Sequence, residues 1–350
     1  MIHVVIMAGG GGTRLWPLST TSKPKQYMRF NDEKSMIKKT VERVQHIVPP
    51  ERTWIVTVEE QLDAILAEDL GVPTTNVILE PVGRNTAPCI GLAAYRVGRV
   101  DKNAILIILP ADHLIEDVEE FQKCVYSGVK AAEATNAVVT IGIKPSRPET
   151  GYGYIHATKD EVGPGVVKVS QFKEKPELDV AKRYVAAGDY FWNSGIFIWG
   201  ATKILNDVEN YLPKMYATLG KIGKMDSLKE NWEEYKDLYS SIDPISIDYG
   251  VIENTEQVLM VKGTFDWSDV GGYEELYRIS KKSKQGNVLQ GKVFAQNTKD
   301  SYVFSSVERP VAVLGLDNVV IVANENGILV CDKETAQNVR NVSGWLKDEE

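Results

Sequence analysis

Across the first 143 residues, short apolar runs alternate with stretches of helical periodicity. Runs near 3–8, 53–58, 76–80, 104–110 and 138–143 read as strands, and 34–47, 59–69, 86–99 and 117–134 as helices. Few folds accept that alternation. It predicts an α/β, Rossmann-like architecture: a mixed, mostly parallel sheet with helices on both faces. Such sheets bind ligands beyond the carboxyl ends of their strands, where the strand order switches. Two of those ends carry unusual chemistry. The first strand stops at Gly9, Gly10, Gly11 and Gly12, and the fourth runs into Leu109-Pro110-Ala111-Asp112.

The glycines are followed at once by Thr13 and Arg14, with Lys25 behind Pro24. Glycines let main-chain N–H groups approach a ligand with no side chain in the way, and successive amides in a tight turn favour anions. Thr13 adds a hydroxyl donor, and a helix starting nearby would aim its positive end at a phosphate. Arg14 offers a planar fork for two phosphate oxygens and Lys25 a compact charge. Together they read as a loop that wraps a polyphosphate. A P-loop is excluded, because no lysine follows the glycines directly. A dinucleotide fingerprint is excluded as well. Counting from Gly9 puts Arg14 in the last glycine place, and counting from Gly10 puts Leu15 there; Asp32, at a plausible distance for a ribose contact, does not rescue it. That argues against a dehydrogenase, which ranks as a third reading.

A length of 350 residues suggests about two domains. The formal charge of −8 argues against nucleic acid or an anionic membrane as the main partner. No apolar run approaches the ~20 residues of a membrane helix, and no signal-peptide pattern opens the chain. Cys89, Cys124 and Cys331, odd in number and widely spaced, imply a reducing cytoplasm. After residue 150 the pattern loosens. Strand character is seen at 166–172, and helices are expected at 179–187, 201–219 and 226–238. A linker at 281–286 precedes short β-rich pieces at 287–294, 301–305, 311–314, 319–322 and 328–331. Their close spacing suggests a small all-β unit, in the manner of a β-solenoid, for packing or oligomerisation.

Further motifs follow in order: EPVGRNTAP at 80–88, LPADH at 109–113, ETGYGYI at 149–155, FKEKP at 172–176, WNSGIF at 192–197, SIDYGVIE at 246–253 and WSDVG at 267–271. With the glycine loop and Pro24-Lys25-Gln26, these resemble the sugar-nucleotide pyrophosphorylases, and among them the mannose-1-phosphate guanylyltransferase family. The resemblance covers residues 3–275. It implies a nucleotidyltransferase (GT-A-like) catalytic domain over 1–281 and a short left-handed β-helix over 286–350. It also implies the reaction of GTP with mannose 1-phosphate to GDP-mannose and pyrophosphate, with Mg²⁺, in a cytoplasmic homodimer. Some relatives carry a further isomerase domain; this chain ends too soon for one, so a single activity is expected. Two alternatives are a sister enzyme using another base or sugar, and a non-catalytic subunit that senses GDP-mannose.

In the implied reaction two anions must approach each other, so neutralisation and positioning supply most of the rate. Gly9 to Thr13 would hold the triphosphate, Arg14 the departing pyrophosphate, and Lys25 the α-phosphate. The bland reading of Lys25 is a solvated surface lysine. Asp112 follows a buried strand and Asp269 matches the family's second carboxylate; both suit Mg²⁺, which takes one or two carboxylates plus phosphate. Either could instead merely cap a turn. Asp266 falls outside the matched pattern, and His113 is given no catalytic role. Glu174, Lys175, Asn193 and the Gly151 amide are candidates for the sugar phosphate, with Asp248 and Glu253 weaker. Glu174 and Lys175 are adjacent, so one of them must sit at a bend to serve the same ligand. Guanine presents two donors on one edge, which Glu80 or backbone carbonyls could accept. Asn85 and Thr86 would contact base or ribose, and Arg84 a phosphate or an acid.

Overall fold

A computed structural model describes residues 1–30, 33–255 and 257–349; Asp32 lies outside them. The chain divides into two compact units that interleave in sequence. The first comprises Met1–Gly9, Lys38–Ala111 and Ile115–Trp267, the second Gly10–Ile37, Asp112–Leu114 and Ser268–Glu350.

In chain order the elements up to residue 263 are β1 (Ile2–Met7), α1 (Met36–Gln45), β2 (Thr53–Val58), α2 (Leu62–Ala67), β3 (Val77–Glu80), α3 (Thr86–Val100), β4 (Ile105–Pro110), α4 (Val118–Thr135), β5 (Val138–Ile143), β6 (Tyr154–Gly163), β7 (Val166–Lys173), α5 (Leu178–Ala187), β8 (Tyr190–Gly200), α6 (Ala201–Tyr211), α7 (Pro213–Gly223), α8 (Trp232–Ser240) and β9 (Val258–Gly263). The first unit is built on a nine-stranded sheet of order β3-β2-β1-β4-β8-β5-β9-β7-β6. Only β7 and β8 run against the other strands. Its central strands are apolar at successive positions because both faces are covered. Val5, Leu106 and Ile108 join one core cluster with side chains of α3, α6 and α7. The alternate residues Val4, Ile6 and Ile107 are equally buried and face the other way. β1 and β4 are neighbours in register, Met7 opposite Pro110, and the Ala111 amide donates to the Met7 carbonyl.

Several expectations need correction. The sequence pattern does not show β8 and β9 as strands. β8 wedges antiparallel between β4 and β5, with a register shift at Thr140 to Gly142. The helix expected over 201–219 is two helices: Pro213 opens α7 and holds Leu212 at extended φ, outside the helical region. The helix expected at 226 starts at Trp232. Before it, Ser227 Oγ accepts from the Glu230 amide and Asn231 Nδ2 donates to the Ser227 carbonyl, local bonds that compete with a helix. Among the described residues up to Phe30, no α-helix follows the glycines. Gly12 adopts the left-handed region, Thr13–Leu15 makes one 3₁₀ turn, and the chain remains in turns through a serine- and threonine-rich, twice proline-broken stretch.

The second unit holds α9 (Tyr273–Ile279), β10 (Val288–Gln290), β11 (Val293–Gln296), β12 (Tyr302–Ser305), β13 (Val311–Leu314), β14 (Val319–Asn324), β15 (Gly327–Asp332) and α10 (Arg340–Glu349). β10, β12 and β14 stack in parallel, as do β11 and β13, which is the pattern of successive coils of a β-helix. The strand expected over 287–294 is broken at Gly291. There φ is +87° and a Cβ would meet the Ser305 carbonyl oxygen at 1.8 Å, so only glycine turns this corner. β15 folds back antiparallel on β14, and α10 has no counterpart in the sequence reading. The unit's core joins Leu15, Met28 and Met36 to Val270, Tyr273 and Leu276 and to Tyr302, Val320 and Val322 of the coils.

Candidate active site

In the second unit, Gly12, Thr13, Arg14, Lys25, Asp112, His113, Asp269, Val270 and Gly271 line one pocket of about 290 Å³. It gathers both proposed cations and both proposed metal carboxylates, the outermost of which, Arg14 and Asp269, are 255 residues apart in sequence. Gly10 and Gly11 lie in the exposed segment leading to it. Gly12 is obligatory: φ is +55° and a Cβ would stand 2.5 Å from the Lys25 backbone nitrogen. Ser19 Oγ donates to the Gly12 carbonyl and Gln26 Nε2 to that of Gly10 at 3.3 Å.

Lys25 is only 8% exposed, which removes the surface-lysine reading. Its Nζ lies 2.7 Å from Asp112 Oδ2 and also donates to the Asp269 carbonyl. Burial alone would push the Asp112 carboxyl up. The charge of Lys25, and then that of His113, outweigh it and hold Asp112 below the usual carboxylate range. His113, given no catalytic role from the sequence, also lines the pocket. Arg14 is exposed and has no ion-pair partner among the described residues. Asp269 Oδ1 accepts from the Gly271 amide at 3.0 Å, so it both caps a turn and lines the pocket. The next residue, Val270, is fully buried at φ +46°, a strained conformation for a β-branched side chain. Asp266 instead accepts from the Asp117 amide, within the first unit.

In the first unit, Glu80 is buried beside Gly9, whose Cβ would be 3.1 Å from Glu80 Oε2. Glu80 Oε1 accepts from the Tyr239 hydroxyl, and burial pushes this carboxyl up to about 7 despite that bond. Asn85 caps α3: its Oδ1 accepts from the Thr86 amide at 2.8 Å, with φ at +70°. Thr86 Oγ1 accepts from the Ile247 amide at 2.8 Å. The Arg84 guanidinium donates to the Ser240 carbonyl and has no acid partner among the described residues.

Elsewhere in the same unit the expected sugar residues converge. Lys175 leaves the end of β7 at φ +44°, and its Nζ folds back to Glu174 Oε1 at 2.7 Å. The bend demanded by the sequence is there. Asn193 Nδ2 donates to Asp248 Oδ1 at 2.9 Å, while its Oδ1 accepts from Thr140 Oγ1 and the Gly195 amide. Burial, then the charge of Glu174, push the Asp248 carboxyl up to about 7. Glu253, a weaker candidate from the sequence, accepts from the Glu174 amide at 3.0 Å. A Cβ on Gly153 would stand 2.4 Å from Glu174 Oε2, so the glycine–tyrosine loop packs directly on this cluster. The Gly151 amide, a further candidate from the sequence, donates to Glu149 Oε1 at 3.0 Å. Arg147 clamps the other oxygen of Glu149 at 3.0 Å.

Residues 3–286 match the nucleotidyl transferase family, and residues 291–346 match the MannoseP isomerase/GMP-like beta-helix domain. A mannose-1-phosphate guanylyltransferase of Salmonella muenchen is 38% identical over 352 residues, covering 98% of this chain and 73% of the relative. The chain belongs to the mannose-1-phosphate guanylyltransferase family. Members of this family are nucleotidyltransferase enzymes, and this chain is one of them. The xanthan biosynthesis protein XanB of Xanthomonas campestris pv. campestris is also 38% identical, over 98% of this chain and 73% of its own length. A crystal structure from Thermus thermophilus, described as a mannose-1-phosphate geranyltransferase, superimposes with a TM-score of 0.87 at 32% identity and covers 99% of both chains. Among the described residues, no helix is long and apolar enough to cross a membrane.

Proposed function

We propose that this guanylyltransferase-family chain transfers GMP from GTP to mannose 1-phosphate, releasing pyrophosphate and GDP-mannose. The observation that carries the reading is the pocket of Arg14, Lys25, Asp112 and Asp269 around the Gly12 turn. The backbone at Gly9 to Thr13 would hold the triphosphate, Arg14 the leaving pyrophosphate, and Lys25 the α-phosphate on which charge builds. Glu80 would accept from guanine through its Oε2, with Asn85 and Thr86 beside base or ribose. Glu174, Lys175 and Asn193 would take the sugar phosphate. No covalent nucleophile is needed.

Nucleotidyl transferases generally use a divalent metal. The residues fit one: two aspartates share the pocket, which suits a hard cation completed by phosphate and water. Asp112 and Asp269 would hold Mg²⁺. When bound, it neutralises phosphate charge and aligns the attack. The cytoplasmic homodimer, and the division into a catalytic domain over 1–281 and a left-handed β-helix over 286–350, belong to the same proposal. Pyrophosphate release from a panel of nucleoside triphosphates and sugar 1-phosphates tests it. Turnover is expected only with GTP and mannose 1-phosphate together. A preference for another pair would replace the substrate assignment, and GDP-mannose binding without turnover would favour a sensing subunit.

A further inference from the structure

The β-coiled tail has so far only a packing role, yet its β14–β15 hairpin reaches the segment that carries Arg14. β14 and β15 are joined by a tight turn over residues 324–327. Asn324 Nδ2 donates to the Pro17 carbonyl at 2.7 Å, and Asn326 Nδ2 donates to the same oxygen at 3.0 Å. A carbonyl oxygen has two lone pairs, so both are used. The turn is itself ordered by the Asn326 amide, which donates to Asn324 Oδ1 at 2.9 Å. Gly327 sits against the indole of Trp16 so closely that a Cβ would lie 2.7 Å from its ring, at φ +149°. From the other side, the Tyr273 hydroxyl bonds the Leu15 carbonyl at 2.8 Å and the Trp16 carbonyl at 2.9 Å. The 3₁₀ turn of Thr13–Leu15 thus has its last residue and the two that follow held by side chains remote in sequence.

Ordinary packing of an apolar core would not require this polar detail. Two amides aimed at one proline carbonyl fix the height and angle at which the chain leaves the Arg14 turn. A turn lacking an α-helix behind it has no ladder of its own to do so. We propose that Asn324 and Asn326 are positioning residues for the phosphate loop: the tail's hairpin clamps Pro17 and thereby sets the Gly12–Arg14 backbone for the triphosphate. The tail thereby contributes to nucleotide binding without touching the nucleotide. This inference deepens the proposed function and rests on it for the identity of the ligand.

The test uses the full chain with Asn324→Ala/Asn326→Ala, and with Asn324→Asp/Asn326→Asp, which keeps the side-chain volume and removes both donors. GTP affinity is measured by calorimetry, both KM values and kcat by pyrophosphate release, and folding by thermal unfolding. Both variants are expected to weaken GTP binding and lower kcat by ~10-fold or more, since displacements of ~1 Å at such loops cost up to ~10² in rate. KM for mannose 1-phosphate and the unfolding midpoint should stay near wild type. Unchanged GTP affinity and kcat would overturn the clamp, as would equal weakening of both substrates with a collapsed midpoint. If the wild type binds GTP but turns over no sugar phosphate, the proposed function fails while the calorimetry still decides the clamp.

Discussion

Replacing Gly12 with alanine should damage catalysis far more than stability, whereas the same change at Gly10 or Gly11 should not lower stability. At Gly12 the φ of +55° costs an L-residue ~1–2 kcal/mol. The new methyl would stand 2.5 Å from the Lys25 backbone nitrogen and 3.0 Å from its Cβ, where ordinary contact begins near 3.4 Å. Backbone cannot swing aside as a side-chain tip can, so Lys25 must retreat by roughly 1 Å, a displacement that costs ~10² in rate at a catalytic group. At Gly10 and Gly11 nothing lies within 4 Å and φ is not positive. Alanine there is expected to be neutral, or stabilising by ~0.4–1 kcal/mol through the unfolded chain. Those two methyls should nonetheless raise KM for GTP, because they stand where amides are to meet phosphate. Thermal unfolding with and without GTP, beside steady-state kinetics, reads all three variants. Wild-type GTP affinity in Gly10→Ala and Gly11→Ala, with turnover retained in Gly12→Ala, would refute the backbone cradle.

Lys25→Ala should fold and lose ~10²–10³ in kcat, measured by pyrophosphate release, as expected for one preorganised charge. Asp112→Asn and Asp269→Asn should each raise the Mg²⁺ concentration needed for half-maximal rate; an unchanged metal requirement in both would remove them as ligands. Glu80 sits near 7 when folded against 4.5 unfolded, so the native state holds its proton more tightly. Its contribution is therefore full below pH 4.5 and is lost as pH rises to about 7, at most ~3 kcal/mol. Denaturant unfolding across that window should show the decline, and Glu80→Gln should flatten part of it; Asp248, raised in the same way, accounts for a further share.

The parts of the fold written by local pattern are readable. β1 and β4 are apolar on both faces, and Gly9 to Gly12 cannot continue a strand. The pairing of Lys25 with Asp112 is legible only as two residue types, each beside its own motif. β8 escapes the pattern because its Asn193-Ser194-Gly195 interruption hides the strand period, and its place between β4 and β5 is set by partners far away in sequence. Tyr239 lies 159 residues from the Glu80 carboxylate it satisfies, so nothing near either residue announces the pair. Glu149 is two residues from Gly151, yet its capture of that amide depends on side-chain direction, which spacing does not fix. The hairpin amides at 324 and 326 look like ordinary turn residues until Pro17 is found beside them.

A crystal structure with GTP and Mg²⁺ bears most directly on the central claim. The account predicts phosphate oxygens against the amides from Gly10 to Thr13, with Arg14 and Lys25 in contact and the cation between Asp112 and Asp269. Triphosphate bound elsewhere, with that pocket still closed by Lys25 on Asp112, would contradict it.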